Sequence, residues 1–154
     1  LMRSSAASDV YKRQVKYNVV MKDERESGLR EILNLGHTVG RAIETVSDYK
    51  LLHGEALSIG MVAQVKLGNE LRFISEENMN RVIDLYKRAN LPITIPDYID
   101  KNVLVKKLYT DKKVRDGKLR FVFQKEIGDV MCFGDNAYGL EIAENQIAKI
   151  IENM

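Results

Sequence analysis

Residues 54–73 place apolar side chains on nearly every side of a helix: Ala56, Leu57, Ile59, Met61, Val62, Val65 and Leu67. A helix apolar all round has no face to give to water, so it belongs at the centre of a domain with other elements packed around it. The flanking sequence supplies candidates. A helical run is expected from about Leu29 to Val46. Ser75 reads as an N-cap ahead of Glu76 and Glu77, and Met79, Val82, Ile83 and Tyr86 form that helix's apolar stripe. Pro92 and Pro96 bound an extended connection, and a shorter helix is expected over Val103–Tyr109. Asp116-Gly117 marks a turn before an alternating strand, Lys118–Phe123. Gly128-Asp129 then introduces a second strand, Val130–Phe133, which implies a hairpin. A last helix, about Glu141 to Glu152, stacks Ile142, Ile147, Ile150 and Ile151, and Val15–Val20 reads as a short strand-like entry. The expected fold is mainly α, multi-helical, with a small β-hairpin, in one domain spanning residues 15–154. A chain of 154 residues is long enough to bury such a core.

Residues 1–14, LMRSSAASDVYKRQ, stand apart. They are polar, rich in small residues, carry a net charge of +2 and lack the apolar stretch of a secretory signal. They read as a non-native or disordered leader, resembling translated adapter sequence, with a short transit peptide as the alternative. Without them the chain is electrically neutral, but unevenly so. Residues 15–100 carry 11 basic and 13 acidic groups, residues 101–125 nine basic and two acidic, and residues 126–154 one basic and six acidic. The basic block is either a solvated face balanced by its neighbours or one wall of an anion site. A single cysteine, Cys132, excludes a disulfide framework and a cysteine-rich zinc module. No apolar run approaches the ~18 residues of a membrane helix, so a cytoplasmic location with no membrane partner is expected.

The chain has only two histidines, His37 and His53. Asn34, His37 and Arg41 would share one face of a helix at i, i+3 and i+7. Gly36 and Gly40 lie four apart in the same stretch. Each costs ~1 kcal/mol relative to Ala in a helix, which suggests close approach by another element or a ligand. If the following helix folds back, His53 near its start would meet His37, and two imidazoles suit a divalent transition metal, zinc foremost. Spacing alone leaves open two unconnected histidines, one at a helix end and one in a core.

The strings DERESGLR (23–30), LNLGHT (33–38) and LHGEA (52–56), in tandem within residues 16–67, resemble 3-dehydroquinate synthase, and weaker similarity continues through Leu91-Pro92, Asp111-Lys112-Lys113 and the hairpin. The resemblance is to the C-terminal, mostly helical domain of that family. It implies an NAD- and metal-dependent lyase of the shikimate pathway, on the route to chorismate and the aromatic amino acids. Its members convert 3-deoxy-arabino-heptulosonate 7-phosphate to 3-dehydroquinate and phosphate through oxidation, phosphate elimination, reduction, ring opening and aldol closure. It further implies Zn2+ or Co2+ as the metal, with His37 and His53 as two of three ligands. The third ligand, a Glu, lies in an N-terminal domain that would also hold most of the NAD. A phosphorylated sugar acid is the implied substrate, and a homodimer the implied full-length assembly.

The same resemblance assigns Lys16, Arg30 and Asn34 to the substrate's carboxylate, phosphate and hydroxyl groups. Lys112 or Lys113 would reach the substrate from the far side, and Glu26 would orient one of the cations or stay solvated. One position departs from the family pattern: Arg41 stands where many members carry a second His. Arginine binds phosphate but does not shuttle protons near neutral pH. Either the substrate phosphate acts as its own base or specificity has moved to another sugar-phosphate cyclase reaction. The non-enzymatic alternative is a basic helical module that binds nucleic acid, with Tyr109, Phe121 and Phe123 stacking on bases. Nothing in residues 1–154 supplies a glycine-rich phosphate-cradling turn for a dinucleotide.

Overall fold

A computed structural model describes residues 2–25, 27–110 and 119–154. In chain order it contains α1 (Met2–Lys22), a 3-10 turn (Leu29–Asn34), α2 (His37–Val46), α3 (His53–Glu70), α4 (Glu76–Arg88) and α5 (Lys101–Thr110). Strands β1 (Leu119–Val122), β2 (Gln124–Glu126), β3 (Asp129–Val130) and β4 (Gly139–Ile142) follow, then α6 (Glu144–Glu152). The fold is mainly α with small antiparallel strand pairs. Among the described residues no helix is long and apolar enough to cross a membrane.

The apolar helix is central, as its pattern requires. Ala56, Ile59, Val62, Ala63 and Leu67 of α3 are fully buried, in one cluster with Val39 and Ile43 of α2, Leu104 of α5, Phe121 and Phe123, and Ile147 and Ile151 of α6. α4 covers α3 through a smaller cluster of Val65, Ile74 and Val82, and it starts with the expected cap, Ser75 Oγ accepting from Asn78 N at 3.2 Å. Phe73, Phe123 and Phe133 meet with ring centroids 5.2–6.5 Å apart, in edge-on and tilted contacts that suit aromatic quadrupoles. Phe121 and Phe123 therefore spend their rings on the core and have none to offer a nucleic-acid base.

Four expectations need correction. Residues 15–20 are helical, part of α1. Val15 and Tyr17 are exposed and only Val19 is buried, so the alternating inward face that would hold a strand is absent. The helix expected over 29–46 is broken at Gly36, which takes φ +74° and gives its N–H to the side chain of Gln64 rather than to a helical carbonyl. The hairpin exists, with β2 pairing β3 and Met131 N donating to Phe123 O at 2.8 Å. However, β1 leaves it to pair with β4, Leu119 opposite Ile142 and Val122 opposite Gly139. The final helix accordingly starts at Glu144, because Glu141 and Ile142 are spent in β4. α1 runs without a break through residue 14, and the side chains of residues 8–18 all face solvent.

At the α2–α3 crossing the two backbones approach closely. A Cβ placed on Gly60 would overlap Gly36 O and come within 2.7 Å of Gly40 N. A Cβ on Gly40 would lie 2.8 Å from Leu57 Cδ2, and one on Gly36 2.7 Å from Met61 Cγ. The glycine spacing in the sequence thus answers to helix packing. Replacing Gly60 by Ala forces the two backbones apart and should cost about 1–3 kcal/mol or more, as overpacked cores do. Gly54 has open space around its Cβ position. Gly54→Ala should therefore be neutral to stabilising, by about 0.5–1 kcal/mol. Urea denaturation of the two variants checks the contrast, and equal destabilisation would refute it.

Candidate functional site

His37 is the first residue of α2 and His53 the first of α3, and their rings lie with centroids 5.8 Å apart, tilted by 58°. His37 Nδ1 lies 3.0 Å from Leu35 O, and His53 Nδ1 lies 2.8 Å from Glu44 Oε1. Both partners are oxygens that only accept, so in the neutral rings each Nδ1 carries the proton and Nε2 is the nitrogen a metal would take. Two imidazoles on one tetrahedral zinc at about 2.0–2.1 Å put their centroids roughly 5 Å apart. The observed spacing is close to that a shared ion requires. Among the described residues no third His, Cys, Asp or Glu completes a cluster.

Beside the histidines lies a cleft of about 150 Å³, lined by Glu31 and Asn34 of the 3-10 turn, His37, Thr38, Arg41 and Ala42 of α2, Lys107 and Leu108 of α5, and Leu119, Arg120, Val122 and Gly139 of the strands. Among the described residues, three cations, Arg41, Lys107 and Arg120, and one carboxylate, Glu31, line the cleft, so it suits an anionic ligand. Glu31 ties the 3-10 turn to β4: its Oε2 accepts from Gly139 N at 2.8 Å and Tyr138 N at 3.2 Å, while Arg120 Nη1 stands 3.8 Å from Oε1. Arg120 also donates to Gly139 O at 2.8 Å, and Thr38 Oγ1 donates to Arg120 O at 3.2 Å. Tyr109, on the same helix as Lys107, has its hydroxyl pushed up to about 12 by burial and then by Glu144, so it stays protonated.

Asn34, His37 and Arg41 thus meet at one cleft, although the expected common helix face is interrupted at Gly36. Lys16 sits exposed on α1 and does not line the cleft. Arg30 turns back instead, its Nη1 donating to Glu24 O at 2.9 Å. Glu26, Lys112 and Lys113 lie outside the described residues. The basic block contributes through Lys107 and Arg120, which its charge count contained but could not single out. Two further residues, Gln64 and Asp23, went unnoticed. Gln64 is 3% exposed; its Oε1 accepts from Gly36 N at 2.7 Å and its Nε2 donates to Val122 O. It joins the break before His37 to the β wall of the cleft. An amide between Ala63 and Val65, in the most apolar stretch of the helix, was the signal that could have found it.

Asp23 organises the loop ahead of the 3-10 turn. Its carboxylate accepts from Ser27 N at 2.8 Å, Ser27 Oγ at 3.0 Å, Gly28 N at 2.9 Å and Arg30 N at 2.9 Å. These donors, the Arg30 and Ser27 amides foremost, hold it well below the usual carboxylate range, against the opposing effect of desolvation. Gly28 is required next to it, since a Cβ there would stand 2.5 Å from Asn136 O.

Two outcomes follow for stability. Gln64→Leu orphans a buried N–H and a buried carbonyl and should cost about 2–4 kcal/mol, at about 1–3 kcal/mol per unsatisfied group; equilibrium unfolding measures it. A depressed carboxylate stabilises the fold above its unfolded pKa, near ~3.9, and that contribution is lost as pH falls through the lower folded value. Asp23→Asn should therefore melt below the parent at pH 6–7, with the gap closing below about pH 4. A gap independent of pH would show that the charge is not what matters.

The family model of the 3-dehydroquinate synthase C-terminal domain matches residues 6–114. The 3-dehydroquinate synthase of Cyanothece sp. is 48% identical over 122 residues, 79% of this chain and 33% of that protein. That of Thermodesulfovibrio yellowstonii is 46% identical over 139 residues, 90% of this chain and 37% of that protein. The chain spans about a third of the length of the curated relatives it matches. Among solved structures, 2-deoxy-scyllo-inosose synthase complexed with carbaglucose-6-phosphate, NAD+ and Co2+ superposes with a TM-score of 0.81. It is 22% identical, and the match covers 91% of this chain and 39% of that one. The 2-epi-5-epi-valiolone synthase of Streptomyces hygroscopicus, with NAD+ and Zn2+ bound, gives 0.75 at 24% identity, covering 97% and 40%. At those identities the two structures show a shared fold. With its tandem motifs, its paired histidines and a family match over most of its length, the chain belongs to the 3-dehydroquinate synthase family, as the C-terminal domain of that enzyme type.

Proposed function

We propose that this chain is the metal- and substrate-binding part of a 3-dehydroquinate synthase, acting within a longer protein to convert 3-deoxy-D-arabino-heptulosonate 7-phosphate to 3-dehydroquinate and phosphate. The observation that carries the reading is the placement of His37 and His53, 5.8 Å apart, beside a cleft lined by Asn34, Arg41, Lys107 and Arg120. The relatives' name supports the reaction, and the NAD+ and Co2+ or Zn2+ in the structural neighbours support the cofactors.

In this reading His37 and His53 hold the divalent metal through Nε2, and a donor from the rest of the longer protein completes the site. When bound, a divalent metal supplies Lewis acidity toward an alcohol oxygen of the substrate. NAD, held mainly outside residues 1–154, supplies the hydride acceptor. The chain's own residues then bind and orient. Arg41 and Arg120 present planar guanidinium groups suited to bidentate capture of phosphate or carboxylate, and Lys107 adds a point charge. Asn34 offers an amide to a substrate hydroxyl. Arg41 binds an anion but offers no base, and the departing phosphate can itself take the proton released during its elimination. Lys16 and Arg30 join the substrate only if the loop after α1 rearranges in the complete enzyme. Lys112 and Lys113 remain candidates for the far side of the site.

A longer protein carrying this sequence should release inorganic phosphate from the heptulosonate phosphate. His53→Ala should lower that rate by roughly 100-fold or more, about 2.7 kcal/mol in the barrier. Arg41 in the cleft favours one second reading, a related sugar-phosphate cyclase. No phosphate release from the heptulosonate phosphate, with turnover of another sugar phosphate, would replace the first reading by the second. The isolated chain should show no turnover and no saturable NAD binding by titration calorimetry; tight NAD binding by it would overturn the division of labour proposed here.

A further inference from the structure

His53 is an exposed residue whose ring meets the carboxylate of a much less exposed one. Its side chain is 59% exposed, whereas the Glu44 side chain that meets its Nδ1 at 2.8 Å is 16% exposed. Glu44 is on α2, seven residues after His37, so two helical turns of one element carry both a metal donor and the group that grips the other donor. The far end of that element is pinned as well: Glu44 O accepts from Tyr49 N at 2.9 Å and from Ser47 Oγ at 3.0 Å. An imidazole in the first turn of a helix with most of its surface in water has rotamers to choose from. A fixed carboxylate acceptor at Nδ1 removes that choice and places the proton on Nδ1.

We propose that Glu44 is a positioning residue: it holds His53 as the Nδ1–H tautomer with Nε2 turned toward His37, so that α2 carries one imidazole donor and the group that orients the other. This rests on the reading of His37 and His53 as metal ligands. The carboxylate acts in two ways, by orientation and by adding negative charge behind the ring, and the two are separable. An amide at position 44 keeps an acceptor oxygen for Nδ1–H but carries no charge.

The test is long-range 1H–15N spectroscopy of the histidine rings in the 154-residue chain, first without metal and then through a Zn2+ titration, on the parent, Glu44→Gln, Glu44→Ala and His53→Ala. Without metal, His53 should be the Nδ1–H tautomer in the parent and in Glu44→Gln, and should lose that preference in Glu44→Ala. On titration, Glu44→Ala should bind Zn2+ about 10–100-fold more weakly than the parent, with Glu44→Gln in between. Far-UV circular dichroism identifies any variant that fails to fold, and Glu44→Gln then decides. An unchanged tautomer in Glu44→Ala, or Zn2+ affinity within twofold of the parent while His53→Ala abolishes binding, overturns the role of Glu44. If His53→Ala binds Zn2+ as the parent does, the metal reading fails instead, and the tautomer spectra still judge Glu44.

Discussion

Everything at the candidate site depends on how closely α2 and α3 approach each other. Gly60 accepts the Gly36 carbonyl and the Gly40 backbone against its own Cα, a contact that any side chain would prevent. With the helices so close, the rings of His37 and His53 lie 5.8 Å apart, centroid to centroid. The carboxylate of Glu44 lies within hydrogen-bonding distance of the His53 ring. Where Gly60 meets Gly36 and Gly40 the contact is backbone to backbone, with no side chain at that point to give. Donors built on such a crossing keep their spacing before any ligand arrives.

The second structural requirement is to fasten the strands to the helical core so that the cleft has a fixed far wall. Two polar groups accomplish this. Gln64 reaches from the centre of α3 to Gly36 N on one side and Val122 O on the other. Glu31 reaches from the 3-10 turn to the amides of Tyr138 and Gly139. Each satisfies backbone groups that the irregular local structure leaves without helical or sheet partners, and burying such groups unpaired would be expensive. Arg120, on that wall, lines the same cleft as Arg41. The positive character of the cleft is thus assembled from three elements far apart in sequence.

Much of the helical framework was legible because it is dictated by periodicity and local capping. The all-round apolar α3, the Ser75 cap and stripe of α4, and the isoleucine ladder of α6 are properties of short windows. The paired histidines, the glycine spacing and the tandem motifs also stood out, since each is a rare residue type at a short, fixed interval. The errors fell where a distant partner overrides local preference. Val15–Val20 has strand-like residues but no sheet to join, and Gly36 breaks a helix because Gln64 and Gly60 claim its backbone. Gly139–Ile142 is a strand only because β1 lies beside it, twenty residues earlier in the chain.

The sequence by itself determined a helical domain with a central apolar helix, a pair of candidate metal donors and a dense basic segment, because these follow from residue type and spacing. Only the tertiary structure decided which cations face the histidines. It drew Lys107 and Arg120 into the cleft with Asn34 and Arg41, while Lys16 and Arg30 turn elsewhere. It also revealed Glu44 behind His53 and Gln64 behind Gly36. The reason is physical: hydrogen-bond partners and charge neighbours across a crossing of two helices are set by backbone approach over a few ångströms, and a linear sequence does not contain that distance.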